Sequence, residues 1–180
     1  HRLPDDKALG EHHEVEYNLQ LIRALGLPVA DPPWRLPRFD REASEVAQLL
    51  SRHGVGAGDR VIAVHPWTSN PRKQWPVDRY RQVIRAIAGR PGVAVALIGG
   101  PEATGQADGV IPPETPVVNL VGRLTLRQLA AVLARATLLI SNDSGPVHVA
   151  AAVGTPALVL FGTSEPGAGS ASTSVDASSV

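Results

Sequence analysis

Three stretches of this 180-residue chain gather the residue types that hold an anion. The first, His65-Pro66-Trp67-Thr68-Ser69-Asn70-Pro71-Arg72-Lys73-Gln74-Trp75-Pro76, puts two hydroxyls and two cations on one loop. The second, Gly99-Gly100-Pro101-Glu102, is a tight turn that delivers a carboxylate. The third, Ser141-Asn142-Asp143-Ser144-Gly145-Pro146, follows the apolar run Leu138-Leu139-Ile140 and precedes small apolar residues ending at Gly154-Thr155-Pro156. Pro146 falls in the first turn of the helix this pattern predicts, where a missing N–H costs little. The helix start leaves backbone N–H groups pointing outward with the positive end of the dipole behind them, which makes it an anion seat. If the three loops converge, the hydroxyls, Lys73 and the N–H groups of the helix start could hold a diphosphate, while Glu102 accepts hydrogen bonds from a ribose.

Each group also has an ordinary structural reading. Cations on loops, such as Arg72 and Lys73, are usually solvated. Glu102 after a glycine turn suits the cap of a following helix. His148 sits on an apolar helix, where a histidine more often packs into a core, and Trp67 and Trp75 are more often packing residues than stacking platforms. His12-His13 with Glu14 and Glu16 lacks a third metal ligand, so no metal site is expected. Asp143, Ser144 and His148 bring a hydrolase triad to mind, but there is no G-x-S-x-G elbow, and the adjacent Asp and Ser suit helix capping.

The elements that must position these loops follow from hydrophobic spacing. Val15, Leu19, Leu21, Ile22 and Leu25 predict a helix over 11–26 with Gly26 as its C-cap. Residues 28–40, with four prolines around Trp34, read as an extended connection. Ala43, Val46, Ala47, Leu49 and Leu50 predict a second helix over 41–53, closed by the glycines of 54–58. From Arg60 onward short apolar strands alternate with helices: strands at 61–65, 94–98, 116–120, 137–141 and 157–161, helices at 78–89, 125–135 and 145–153, and a short helical or loop piece near 102–108. Such alternation predicts an α/β fold with a mainly parallel sheet flanked by helices, whose ligands collect at the carboxyl ends of the strands.

Composition sets outer limits. Forty-three per cent hydrophobic content supports one ordinary core plus appendages. Seventeen basic and seventeen acidic side chains cancel, which removes the bulk-charge argument for nucleic acid or a membrane surface. Cysteine is absent, so disulfides and thiolate metal sites are excluded. No apolar run is long enough to span a bilayer and no signal peptide is visible, so the reading is a cytoplasmic protein. The sequence starts at His1 and contains no Met, which reads as part of a longer product. Residues 167–180 are mostly Ala, Ser, Gly and Thr and are expected to be disordered. Three regions result: 1–57 as helix, Pro-rich linker and second helix; 58–166 as the α/β domain; and 167–180 as a low-complexity tail.

The pieces are individually weak, but their order is specific. V-I-A-V-H-P-W-T-S, R-K-Q-W-P, L-I-G-G-P-E, N-L-V-G-R-L-T-L-R-Q-L-A-A-V-L and S-N-D-S-G-P-V-H-V-A-A-A-V-G-T-P-A-L-V-L-F-G follow one another from about Val61 to Pro166. This array resembles the C-terminal half of the ADP-heptose–lipopolysaccharide heptosyltransferases, glycosyltransferase family nine. His13-Glu14-Val15-Glu16 and Leu25-Gly26-Leu27 resemble the helix leading out of that family's N-terminal half.

The resemblance implies a GT-B enzyme, two Rossmann-like halves facing a cleft, with the nucleotide sugar held by the C-terminal half. Position by position, it implies that Thr68 and Ser69 contact the donor phosphates, Lys73 neutralises the diphosphate leaving group, and Glu102 holds the ribose. It further implies that Asp143 contacts the transferred sugar, that Ser144 and Gly145 offer backbone to the diphosphate, and that His148 supports this loop. The implied reaction is an inverting transfer of heptose from ADP-heptose to a lipopolysaccharide core acceptor, without a metal or other cofactor. Its general base would lie in an N-terminal half, so these residues alone are expected to bind donor without turnover. A peripheral place on the inner face of the bacterial inner membrane, and a homodimer through the 11–26 helix, are compatible with this reading. The alternative is a non-catalytic nucleotide-sugar-binding module or another GT-B protein, such as a sugar-nucleotide epimerase.

Overall fold

In the computed structural model, residues 19–20, 22–29, 35–160 and 172–175 are described. The chain divides into two compact units, His1–Pro33 and Trp34–Val180. In the first, residues 22–24 are helical and turn at Gly26, whose φ of 71° is the left-handed value a glycine cap supplies. The Gly26 N–H donates to the Arg23 carbonyl at 2.9 Å and the Leu27 N–H to that of Ile22 at 3.3 Å, closing the helix end where the sequence places it. Residues 11–18 of the predicted helix lie outside the described residues.

The second unit is built on a six-stranded sheet. Its elements in order are α1 (Asp40–Arg52), β1 (Arg60–His65), a 3₁₀ turn (Pro71–Lys73), α2 (Val77–Ala88), β2 (Val93–Leu97), a 3₁₀ segment (Pro101–Gln106), α3 (Ala107–Val110), β3 (Val117–Asn119), α4 (Leu126–Arg135), β4 (Ala136–Asn142), α5 (Gly145–Val153), β5 (Ala157–Leu160) and β6 (Ser172–Val175). The strand order is β3-β2-β1-β4-β5-β6. The first five strands are parallel, as expected, and β6 runs antiparallel to β5.

The strands alternate between two cores. Val61, Ala63, Ala96, Ile98, Val118 and Leu139 face one side with Val46 and Leu50 of α1, Val132 and Leu133 of α4, and Ala150 of α5. Val64, Val95, Leu97, Ile140 and Leu160 face the other with Tyr80, Ile84 and Ala88 of α2 and Ala107 and Val110 of α3. A parallel sheet covered on both faces buries the middle of each strand on both sides, and this is why its strands read as short, nearly continuous apolar runs. Within α2 the buried residues recur every fourth position, one stripe on an otherwise polar helix.

Two features depart from the expected regional boundaries. Helix α1, grouped above with the connection, packs into the same core as β1 and α4 and lies in the second unit. Gln128 Nε2 donates to Glu45 Oε2 at 3.0 Å, and the Arg127 guanidinium sits 5.5 Å over the Phe39 ring. Within the stretch read as a disordered tail, Ser172–Val175 forms β6, pairing Leu160 with Ser172 and Ala157 with Val175. The physical reason is the open edge of β5, whose N–H and C=O groups recruit an extended segment with little regard to its hydrophobicity. The rest of 167–180 lies outside the described residues.

Chain order and strand order together locate a candidate crevice. From β1 the chain moves outward through β2 to β3, then returns to β4 on the other side of β1 and moves outward again through β5. The direction of winding reverses between β1 and β4. A crevice therefore opens at their carboxyl ends, at His65 and at Asn142-Asp143.

Candidate functional site

That crevice is a cleft of about 630 Å³ lined by His65, Trp67, Thr68, Ser69, Asn70, Lys73, Gln74, Glu102, Ala103, Gln106, Asp143, Ser144, Gly145 and Pro146. Seven of the residues singled out from sequence, Thr68, Ser69, Lys73, Glu102, Asp143, Ser144 and Gly145, line it together. His148 does not line it; it is exposed on α5.

The third loop is shaped by β4 running straight into α5. Ser144 is the N-cap in extended conformation, and Pro146 occupies the first turn of the helix. The Ser144 hydroxyl makes no cap bond to its own helix. It lies 3.1 Å from His65 Nδ1 and 3.1 Å from Ser141 Oγ, and it donates toward the Asn142 carbonyl at 3.1 Å. The helix start is thus left open for an external acceptor. At its other end, α5 stops at Gly154 with φ 79°, and Thr155 Oγ1 donates to the Leu133 carbonyl at 2.6 Å.

The first loop is fastened to β4 by one buried side chain. Asn142 Nδ2 donates to the Pro66 carbonyl at 2.7 Å, and the Trp75 N–H donates to Asn142 Oδ1 at 2.8 Å. Both ends of the loop that carries Thr68, Ser69 and Lys73 are therefore held by one amide next to Asp143. Between these ends the 3₁₀ turn at Pro71–Lys73 raises Lys73, whose Nζ lies 2.5 Å from Asp143 Oδ2.

The second loop passes beneath Trp67. A Cβ on Gly99 would meet the Trp67 ring at 2.6 Å, and a Cβ on Gly100 would collide with the Glu102 carboxylate, so each glycine makes room for a neighbouring side chain. Gly100 takes the N-cap position of the 3₁₀ segment without any side-chain cap bond, and Glu102 lines the cleft.

His65 was not assigned a role from sequence. It is buried, and loss of solvent lowers its imidazole to about 4 from 6.5, with the Glu102 carboxylate opposing that fall. It is neutral at pH 7 and joins the tips of β1 and β4 through Ser141 and Ser144. The available signal was its position, the last residue of an apolar strand at the carboxyl edge. Asn142 carried a similar signal, a polar residue at the end of a buried strand, which must find partners for its amide.

Beside the main cleft, and sharing His65 and Pro146 with it, a smaller recess of about 210 Å³ is lined by Gly99, Gly100, Leu124, Thr125, Leu126 and Leu129. Its floor is the start of α4, fixed by a capping box. The Gln128 N–H donates to Thr125 Oγ1 at 3.3 Å and the Thr125 N–H to Gln128 Oε1 at 3.0 Å. Among the described residues no helix is long and apolar enough to cross a membrane.

Comparison with known proteins bears on the family and the fold. The model of the family described as glycosyltransferase family 9 (heptosyltransferase) matches residues 2–176. Lipopolysaccharide heptosyltransferase 3 of Escherichia coli is 31% identical over 164 residues, covering 84% of this chain and 45% of its own length. Among solved structures, a family 9 glycosyl transferase from Veillonella parvula superposes with a TM-score of 0.75 at 28% identity, covering 87% of this chain and 46% of its own. The E. coli ADP-heptose lps heptosyltransferase II superposes at 0.59 with 25% identity, over 79% of this chain and 44% of its own. The chain therefore spans somewhat under half the length of these relatives. A family match over residues 2–176, with relatives that superpose on most of the chain, identifies it as a member of glycosyltransferase family 9, the heptosyltransferase family.

Proposed function

We propose that this unit is the donor-binding half of an inverting heptosyltransferase and that its cleft seats the diphosphate of a nucleotide sugar, ADP-heptose. The observation that carries the reading is the meeting of two hydroxyls, one ammonium and an open helix start at the reversal of the sheet, with a carboxylate on the adjoining loop. One relative bears ADP-heptose in its description. In this reading Thr68, Ser69, Lys73 and the Gly145 N–H bind the two phosphates, Glu102 accepts from the ribose hydroxyls, and the apolar recess beside Glu102 takes the base. Asp143 faces the transferred sugar.

The chemistry is a single displacement. An acceptor hydroxyl attacks the anomeric carbon, the bond from that carbon to the phosphate oxygen breaks, and the electron pair leaves with the nucleoside diphosphate. Negative charge grows on the departing phosphate, and fixed N–H dipoles and an ammonium stabilise that growth without reorganising. No metal is needed for this role. The proton of the acceptor hydroxyl goes to a base that we place outside these 180 residues, together with most of the lipopolysaccharide acceptor surface. Alone, the chain binds donor and does not turn it over. The whole protein then works in the bacterial cytoplasm, against the inner face of the inner membrane where its acceptor lies.

Calorimetry tests this. ADP should bind, UDP should bind markedly more weakly, and Glu102→Gln should weaken ADP. A preference for UDP would move the protein to another GT-B activity, such as sugar-nucleotide epimerisation, and no binding of either at millimolar concentration would remove the donor reading.

A further inference from the structure

The lining of the cleft sets a carboxylate beside the groups that would seat a diphosphate. Among the described side chains that line it are two carboxylates, Glu102 and Asp143, and the ammonium of Lys73, and His65 is neutral at pH 7. The Lys73 ammonium is already engaged, 2.5 Å from Asp143, in a pair between residues seventy positions apart. Both partners face the cleft, with 48% of the Lys73 side chain and 33% of that of Asp143 exposed. Asp143 is also two residues before Gly145, at the helix start that would seat a phosphate.

We propose that the Lys73–Asp143 ion pair is a selectivity latch that favours a nucleotide sugar over a bare nucleoside diphosphate. The inference rests on the donor reading given above. A diphosphate that recruits Lys73 competes with Asp143 for the same ammonium, and the carboxylate beside the phosphates then has less of its counter-charge. Like charges placed side by side oppose binding. A ligand whose distal phosphate bears a polyhydroxylated sugar brings hydroxyl donors to that carboxylate as the ammonium leaves. ADP alone brings none. The same residue that holds the sugar thus raises the cost of retaining the product, so release of ADP follows from loss of the sugar.

The test is calorimetry on the 180-residue chain with two probes, ADP and ADP-heptose, for wild type and Asp143→Asn. The unaltered chain should bind ADP-heptose more tightly than ADP. Asp143→Asn should tighten ADP roughly three- to tenfold, the scale expected for a partly exposed charge pair, and should not tighten ADP-heptose, so the ratio between the probes collapses. The gain for ADP should shrink at 0.5 M salt, where the Debye length falls to about 4 Å. Equal affinities of wild type for the two probes overturn the latch without needing any variant. So does an Asp143→Asn chain that keeps the wild-type unfolding midpoint and binds ADP no better. If wild type binds neither probe, the donor reading itself fails and takes the latch with it; if wild type binds both and only the variant result fails, the donor reading stands.

Discussion

Replacing Asn142 by Ala removes the one side chain that holds both ends of the first loop. The Pro66 carbonyl, which is buried, loses its donor, and the half-buried Trp75 N–H loses its acceptor. A buried polar group left without a partner costs about 1–3 kcal/mol. Water can recover part of the loss at Trp75, so the sum is about 2–4 kcal/mol. Set against a typical total of about 5–15 kcal/mol, that is a severe loss. For a chain of this size it lowers the unfolding midpoint by roughly 5–15 °C. Urea unfolding followed by circular dichroism, with the slope unchanged, measures it directly. Asn142→Asp separates hydrogen bonding from volume. It keeps the shape and an acceptor for the Trp75 N–H but turns a carboxylate oxygen toward the Pro66 carbonyl, so it should destabilise at least as much as Ala. Tryptophan fluorescence should shift in both variants, because Trp67 and Trp75 ride on the freed loop. A loss below about 1 kcal/mol in Asn142→Ala, or an Asp variant as stable as wild type, would refute the reasoning that one amide fixes this loop.

Other expectations follow from the same geometry. His65, whose folded value of about 4 lies below its free value of 6.5, takes up a proton more readily when unfolded. Its contribution to stability is therefore full above pH 6.5 and is lost as pH falls toward 4. His65→Gln should flatten that part of the stability profile by an amount on the order of 2–3 kcal/mol, and an unchanged profile between wild type and variant would contradict the burial argument. Tyr80 is buried on α2 with its ring 5.1 Å from that of Trp75, and its hydroxyl has no partner among the described residues. Tyr80→Phe should leave the unfolding midpoint unchanged or raise it, and a large fall would reveal a hydrogen bond. Gly100→Ala should cost little stability, because the atom it displaces is the end of the flexible Glu102 side chain. It should still weaken ADP several-fold by turning that carboxylate away; full ADP affinity in calorimetry would detach Glu102 from the ribose.

Much of this structure could be read from sequence because a doubly covered parallel sheet keeps the middles of its strands apolar and leaves polar residues such as His65 and Asn142 to their ends. The run Val61–Val64 and the run Leu138–Ile140 have no other comfortable home, and Gly or Pro closes most of the intervening helices. Element bounds accordingly fall within one or two residues of expectation: 77–88 against 78–89 for α2, and 145–153 as expected for α5. Strand order was less accessible. Nothing local says that β4 lies beside β1, since that follows from which apolar faces find room, yet it decides where the crevice opens. The histidines show the same limit. Helix α5 is small and apolar nearly all round, so spacing could not tell its inner face from its outer one, and His148 is exposed. His65, hidden in a strand, lines the cleft instead. Asn142 escaped notice because its role is to satisfy backbone groups on a loop sixty-seven and seventy-six residues away, a debt visible only once the chain is folded.

The most direct test of the account is a crystal structure of this chain with ADP. The account predicts both phosphates between Thr68, Ser69, Lys73 and the Gly145 N–H, the ribose against Glu102, and the Asp143 carboxylate parted from Lys73. Nucleotide bound elsewhere, for example in the groove that Arg35, Phe39 and Ala131 line, with the β1–β4 crevice empty, would contradict it.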